Sequence, residues 1–545
     1  MYNNANVAGE DDPRVNTTDA KGVDTLEPSP HPAVVSFEEY LEYAKRSRAY
    51  EEQLHSERVA GKQATKTGSD PTVNSDSKGE KALVTDGESL TADERERINA
   101  RRALRSASWA AVFYLITTDI LGPFNAPFAL SQVGYVPGVI LYFFMGAVAC
   151  YTGLLLWYLF LRLDSDLYPV KTYADITRRI FGLEAAHAVN VLQSIQLIIN
   201  VGTICLSNGQ SLSQISKGHL CFAVCIVIWA FVGMVIGQVR TLKNYGWLAN
   251  SAVWLNLSLI FISMGFVAHS PPNFLAAKAA YGIDPAPVVT KAFVTLPLST
   301  KVNGIMNMCF AYGGAMIFPE MLAEMRRPWD FWKGMCCGQL LIFSAYLLYG
   351  VFVYSFQGQF TLPLAYQGVS KYAWQTVGNV IALITGIIAA GLYGNIGIKV
   401  AYYNIVEGMF KGPRLESAMG KRIWIGMVLI YWALAFIVGA AIPQVQTISG
   451  LVAAVCIMQF TYTFPPLLVW GYLVRLDGVT ADGKFSLSQG VRTGSLRRLL
   501  FKWFNFVLFL ASLAMACLGM FGSGTAIKET FKTAQATSFG CKPPV

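Results

Sequence analysis

Charge is scarce in this 545-residue chain. Asp, Glu, Lys and Arg supply only 14% of its residues, against roughly 25% in a typical soluble protein. With 53% hydrophobic residues beside so little charge, a string of soluble domains is excluded, although the length alone would suggest one. Histidine is rarer still, at five residues. The ten cysteines include no CxxC and no Cys/His metal spacing, so no metal site is expected. A P-loop and a GxSxG elbow are also missing, which leaves an enzyme without a catalytic set. No apolar stretch carries the repeated charges of a channel ring. The first 105 residues hold no run suited to a cleaved signal peptide, so the first span is expected to act as an uncleaved signal. Nine cysteines lie in or beside apolar stretches and only Cys541 sits in a clearly polar terminus. Small buried thiols are therefore expected, not a disulfide framework.

What the chain does have is a series of apolar stretches, each long enough to cross a bilayer. Hydropathy places eleven spans: Trp109–Gln132, Val136–Leu163, Ala186–Ser207, His219–Val235, Trp247–Val267, Val302–Met321, Phe331–Phe356, Trp374–Ala401, Ile423–Ile442, Val445–Val474 and Phe501–Phe521. The expected fold is an all-α membrane protein with the lipid bilayer as its main partner. The net charge of +9 is no nucleic-acid signal, because the basic residues cluster in short loops beside the spans. Arg162, Arg178, Arg240, Arg326, Lys411, Arg422, Arg475 and Arg498 fall on one side, and only Lys217, Lys278, Lys291, Lys301 and Lys371 on the other. That asymmetry predicts a cytosolic N-terminus and, with an odd span count, an extracellular C-terminus. The expected organisation is a disordered cytosolic tail over 1–105, a transmembrane domain over 106–525 and a short tail over 526–545. The first tail is too polar to fold alone. Phe37, Tyr40, Leu41 and Ala44 make a weak stripe in it, and Lys62, Lys66, Lys78 and Lys81 are candidate acceptors for ubiquitin and the trafficking machinery.

Two spans carry breaks. The first contains Asp119-Ile120-Leu121-Gly122-Pro123-Phe124-Asn125-Ala126-Pro127. Each proline removes a backbone donor and clashes with the preceding turn. The sixth contains Phe310-Ala311-Tyr312-Gly313-Gly314, and each interior glycine costs about 1 kcal/mol against alanine. The two breaks occupy corresponding places in two five-span halves of opposite direction. Paired interruptions in such a 5+5 inverted repeat point to a mid-membrane substrate site. Freed N–H groups suit a carboxylate and freed carbonyls suit an ammonium.

At these residues the chain resembles the amino acid/auxin permease family, and within it a fungal neutral amino-acid permease. Leu121 to Leu130 resembles the first-span signature, with Ala126 and Leu130 in place of the usual Leu and Phe. Thr172-Tyr173-Ala174-Asp175-Ile176 with Phe181-Gly182 resembles the lead-in to the third span. Phe310 to Gly314, running through Ile317-Phe318-Pro319-Glu320 to Glu324-Met325-Arg326-Arg327-Pro328, resembles the sixth. The resemblance covers roughly residues 105–525. It implies the fold of the bacterial leucine transporter and ion-driven uptake of amino acids at the plasma membrane, with the vacuolar membrane as the other location. Sodium-coupled relatives carry a hydroxyl ligand on span 8, where this chain has Ala389 or Ala390, with Thr385 about one turn away. That substitution favours a proton gradient over sodium, with no other cofactor.

Ionisable residues inside a membrane are functional candidates because they are costly there. Asp119 is the first choice for ion coupling, with pairing to Lys399 as its structural alternative; Lys399 is itself a candidate, as the occupant of a cation position or as a side chain that snorkels to the inner interface. Glu320 follows, as a coupling group, a gate or a partner of Arg326. The expected substrate site comprises Leu121, Gly122, Pro123, Phe124, Asn125, Phe310, Ala311, Tyr312, Gly313 and Gly314. Asn200 and Asn395 are added as hydrogen-bonding groups or as interhelical contacts. The break residues are uncharged, and a charged substrate side chain would need a buried countercharge. Neutral aliphatic or aromatic amino acids are therefore expected. The alternative is an amino-acid sensor signalling through the N-terminal tail.

Overall fold

The computed structural model describes residues 35–67, 105, 107–120, 123–239, 245–413, 415, 417–441, 444–479, 485–532 and 539–542. Its elements are helical. Helix α1 is Phe37–Thr67. The first predicted span is α2 (Trp109–Ile120) and α3 (Ala126–Val133), joined through a tight turn at Pro123–Asn125. Next come α4 (Tyr135–Leu163), α5 (Tyr173–Phe181), α6 (Leu183–Ile215), α7 (Phe222–Ile236), α8 (Tyr245–Ala268) and α9 (Phe274–Tyr281). The sixth predicted span is α10 (Leu298–Ala311) and α11 (Phe318–Glu324), again interrupted. Then follow α12 (Phe331–Gln357), α13 (Tyr372–Ala401), α14 (Ala418–Ala441), α15 (Val445–Val452), α16 (Phe464–Asp477), α17 (Leu487–Arg492) and α18 (Leu496–Thr530).

Among the described residues, eight helices are long and apolar enough to cross a membrane. The other three predicted spans correspond to the shorter apolar helix α7 and to the two interrupted pairs. The bundle has two distinct ends. One carries the Arg- and Lys-rich connections and is called the basic end below; the other is the opposite end. The α2–α3 pair leaves the basic end and the α10–α11 pair returns to it, so the two broken spans run in opposite directions, as an inverted repeat requires.

Local chemistry sets several boundaries. Thr172 and Asp175 form a reciprocal capping box at the start of α5. Between α3 and α4 the chain turns at Gly134, whose φ of 97° puts it in the region that glycine tolerates. A side chain there would also collide with the carbonyl of Ala292, which accepts from Val136 N–H at 3.1 Å. Two segments wind as π-helix: Tyr402–Met409 after α13, and Ala453–Thr463 between α15 and α16. The second ends just before Pro465 and Pro466 in the first turn of α16, where a missing N–H does least harm.

Two expectations need correction. The stripe at Phe37 and Ala44 belongs to a folded helix, not a solvated tail. Phe37 and Ala44 are buried, and the Phe37 ring lies edge-on to Tyr472, 5.8 Å between centroids. The helix docks by charge at the basic end. Arg48 reaches Asp164 at 2.7 Å, Arg105 reaches the same carboxylate at 2.9 Å, and Glu51 lies 2.8 Å from Arg48. The side chains of Lys62 and Lys66, and the whole of Lys78 and Lys81, lie outside the described residues. The second correction concerns cysteine. Cys221 and Cys541 form a disulfide across 320 residues. The carbonyls of Cys541 and Gly540 accept the N–H groups of Phe222 and Ala223, so the C-terminal segment caps the otherwise unpaired first turn of α7.

Candidate functional site

The two interruptions lie against one another. In the first, Asn125 ends the turn and α3 begins with Pro127 in its first turn, the helix position that proline suits best. Nδ2 of Asn125 donates to Oδ1 of Asn307 on α10, and Asn307 Nδ2 donates to the carbonyl of Asn303 at 2.8 Å. A polar link therefore joins the two broken spans. Among the described residues, Oδ1 of Asn125 is buried with no hydrogen-bond partner, as is Oδ1 of Asn303. Phe124 is half-buried, edge-on to Tyr366 at 5.2 Å and to Tyr349 at 6.1 Å.

The second interruption runs through Tyr312-Gly313-Gly314 into a short turn over Ala315–Ile317. Tyr312 is buried, and its hydroxyl donates to the carbonyl of Tyr142 at 3.1 Å. Its ring, with those of Tyr142 and Tyr346, forms a cluster with centroids 5.8 to 6.2 Å apart. Gly313 faces the π-segment: a Cβ on it would come within 2.7 Å of Ile457. Ala311 and Gly314 are buried, and Phe310 is half-buried.

The other predicted residues scatter. Asn200 is buried on α6, with Oδ1 unpartnered among the described residues. Asn395 lies elsewhere: its Nδ2 donates to the carbonyl of Val239 at 2.7 Å, tying α13 to the segment after α7. That is the interhelical contact, not a position at the breaks. Lys399 faces Glu324 in the last turn of α11. Glu320 is held by Gln193, whose Nε2 donates to it at 3.2 Å and to the carbonyl of Met316 at 3.1 Å. Among the described residues Glu320 has no ion pair, so the Arg326 partnership is replaced by an amide. Leu121 and Gly122, and the side chains of Asp119 and Pro123, lie outside the described residues.

Sequence reasoning missed Gln193, Asn303, Asn307 and the tyrosine shell. A signal was available for the polar ones. Asn303 and Asn307 are four apart, and Gln193 stands seven before Asn200, so each pair shares a helix face.

Two interrupted helices of opposite direction, placed side by side with uncharged polar atoms turned into the break, define a multi-pass membrane carrier. The profile of the family described as transmembrane amino acid transporter protein matches residues 105–473, and this chain belongs to that family. It is 24% identical to a transmembrane transporter of Gibberella moniliformis, over 80% of this chain and 88% of that one. It is 23% identical to the N amino acid transport system protein of Neurospora crassa, over 69% and 78%. It is also 27% identical to the amino acid transporter AVT1B of Arabidopsis thaliana, over 64% and 61%. Among solved structures, Mhp1, a nucleobase-cation-symport-1 family transporter, aligns with 79% of this chain and 93% of its own, at 13% identity and a TM-score of 0.44.

Proposed function

We propose that this transporter takes up neutral amino acids, aliphatic or aromatic, by proton symport through alternating access at the plasma membrane. The observation that carries the substrate reading is the unpartnered Oδ1 of Asn125 beside the aromatic groups Phe124, Tyr349 and Tyr366. A substrate ammonium donates to that oxygen, the first-turn N–H groups of α3 face its carboxylate, and the rings receive an apolar side chain. No described side chain at the two breaks is charged, so a cationic or anionic side chain finds no countercharge there. The proton is favoured because Ala389 and Ala390 offer no hydroxyl on α13. The basic end faces the cytosol by the distribution of Lys and Arg. This places the Cys221–Cys541 bond outside, in an oxidising compartment where such a bond persists.

A second reading, an amino-acid sensor, draws support from α1, which is docked on the basic end and so is placed to respond to changes in the bundle. Flux separates the two. Labelled leucine and phenylalanine are offered to permease-deficient cells expressing the chain, at varied external pH, with and without sodium, and with a protonophore. Uptake that rises in acid, ignores sodium and collapses with the protonophore is the expected result. Binding at the surface without net uptake favours the sensor. Sodium-dependent uptake overturns the proton.

A further inference from the structure

We infer that Glu320 takes up and returns the coupling proton, and that the row of buried amides on α6 is its polar path through the bundle. This inference rests on the proton-symport reading above. Glu320 lies just past the sixth-span break. One carboxylate oxygen accepts from Gln193, and the other is buried without a hydrogen-bond partner among the described residues. The backbone N–H groups of Tyr173 and of Glu320 itself lean on the carboxylate. Among the described residues, the titratable side chains that face it are Tyr173 and Asp175 of α5. None of these is a cation. A buried carboxylate is costly without a cation beside it, which suits a group that binds and releases a proton. Glu324, four residues on, is the contrast: Lys399 faces it.

The carboxyl is wired to the break. The Nε2 that donates to Glu320 also donates to the carbonyl of Met316 inside the interruption. Loss of the proton draws the Gln193 amide towards the carboxylate and loosens its hold on the break. Gln193, Gln196 and Asn200 follow one face of α6, spaced by three and four residues, and rise about 10 Å. Each is more than nine-tenths buried, and each has its side-chain carbonyl oxygen without a partner. Such a row of orphaned acceptors suits bridging waters. Towards the basic end, a cleft lined by Thr172, Asp175, His187 and Asn190 opens one turn from Gln193. A proton arriving with substrate passes along this face by water-to-water transfer, each hop forming one O–H bond as another breaks. It binds the free oxygen of Glu320 and leaves through the cleft.

The test uses the purified full chain in lipid vesicles with labelled leucine. Two readouts are compared: leucine exchange, which needs no net proton movement, and accumulation driven by an acid-outside gradient. Glu320→Gln is expected to keep exchange within about twofold, to lose about tenfold or more in accumulation, and to flatten its pH profile. Gln196→Leu leaves the carboxyl in place and is expected to slow accumulation about threefold with exchange unchanged. Wild-type accumulation and pH profile in Glu320→Gln would overturn the inference. If that variant also loses exchange, leucine binding by the solubilised protein in weak buffer decides, with a pH dye. Binding without proton uptake supports the inference. Binding with proton uptake, or no binding at all, overturns it. A wild-type protein driven by sodium and not by the pH gradient defeats the symport reading itself, before any variant is compared.

Discussion

The two ends of the bundle are closed by different chemistry. At the basic end the fastening is ionic. Arg48 and Arg105 share the buried Asp164, Glu51 joins them, and Asp477 pairs with both Arg498 and Lys502 at 2.6 Å. At the opposite end the contacts between distant elements are neutral or covalent, and the ion pairs Lys278–Asp284 and Glu529–Lys532 are exposed and join near neighbours in sequence. Gln214 donates to Gln375 at 2.7 Å and accepts from Asn379, and Gln367 donates to Asn379 at 2.9 Å. The Cys221–Cys541 bond lies at that end too. Ion pairs near water answer to salt and to protons, whereas amide pairs and a disulfide do not. The basic end is therefore the one that solution conditions can loosen.

Breaking Asp164 gives the largest expected effect. Asp164→Asn leaves two mostly buried arginines short of their common carboxylate, and losing one partner of a buried pair costs about 3–5 kcal/mol. Hydrogen exchange over residues 37–57 should rise sharply, with the opposite end unchanged; protection equal to wild type would mean that α1 is held by its apolar contacts alone. Cys541→Ser comes next. A native disulfide contributes about 2–4 kcal/mol, so the variant should melt earlier while α1 keeps its protection. A matching loss of protection in α1 would show that the two ends are not independent. The smallest effect belongs to Glu51. Burial pushes its carboxyl up to about 7, outweighing Arg48 and Arg105 while Asp164 and Asp166 press the same way as burial. The docked form thus holds a proton that the released form gives up. The contribution of Glu51 to docking is fully present below the ordinary value of 4.5 and is lost as the pH rises to about 7. The side chain is 20% exposed, so solvent screening leaves an effect on the order of 1 kcal/mol. Glu51→Gln should abolish this pH dependence of α1 protection; a dependence that survives in the variant assigns it to another group.

The spans and both breaks were legible because each writes itself locally: an apolar run near 20 residues, a Pro four from another Pro, a Gly beside a Gly. What escaped needed a distant partner. Helix α1 has few apolar residues, and its fastening to Asp164 joins positions 116 apart from Arg48. The disulfide is the extreme case, since spacing in sequence says nothing about which cysteines meet. Asn395 looked like a substrate ligand because polar residues in spans usually matter, but its partner is a backbone carbonyl, which has no sequence signature. The π-segment beside Gly313 was equally silent: one extra residue per turn leaves composition unchanged.

The bond between Cys221 and Cys541 also turns most of the protein into a ring. Everything from the start of α7 to the C-terminal segment becomes one covalent circle, and the first three spans hang from it as a pendant arm. A protease that cuts any single connection within that circle opens it without releasing a fragment. The nicked chain still runs as one piece until a reductant is added, whereas a cut before residue 221 releases its fragment at once.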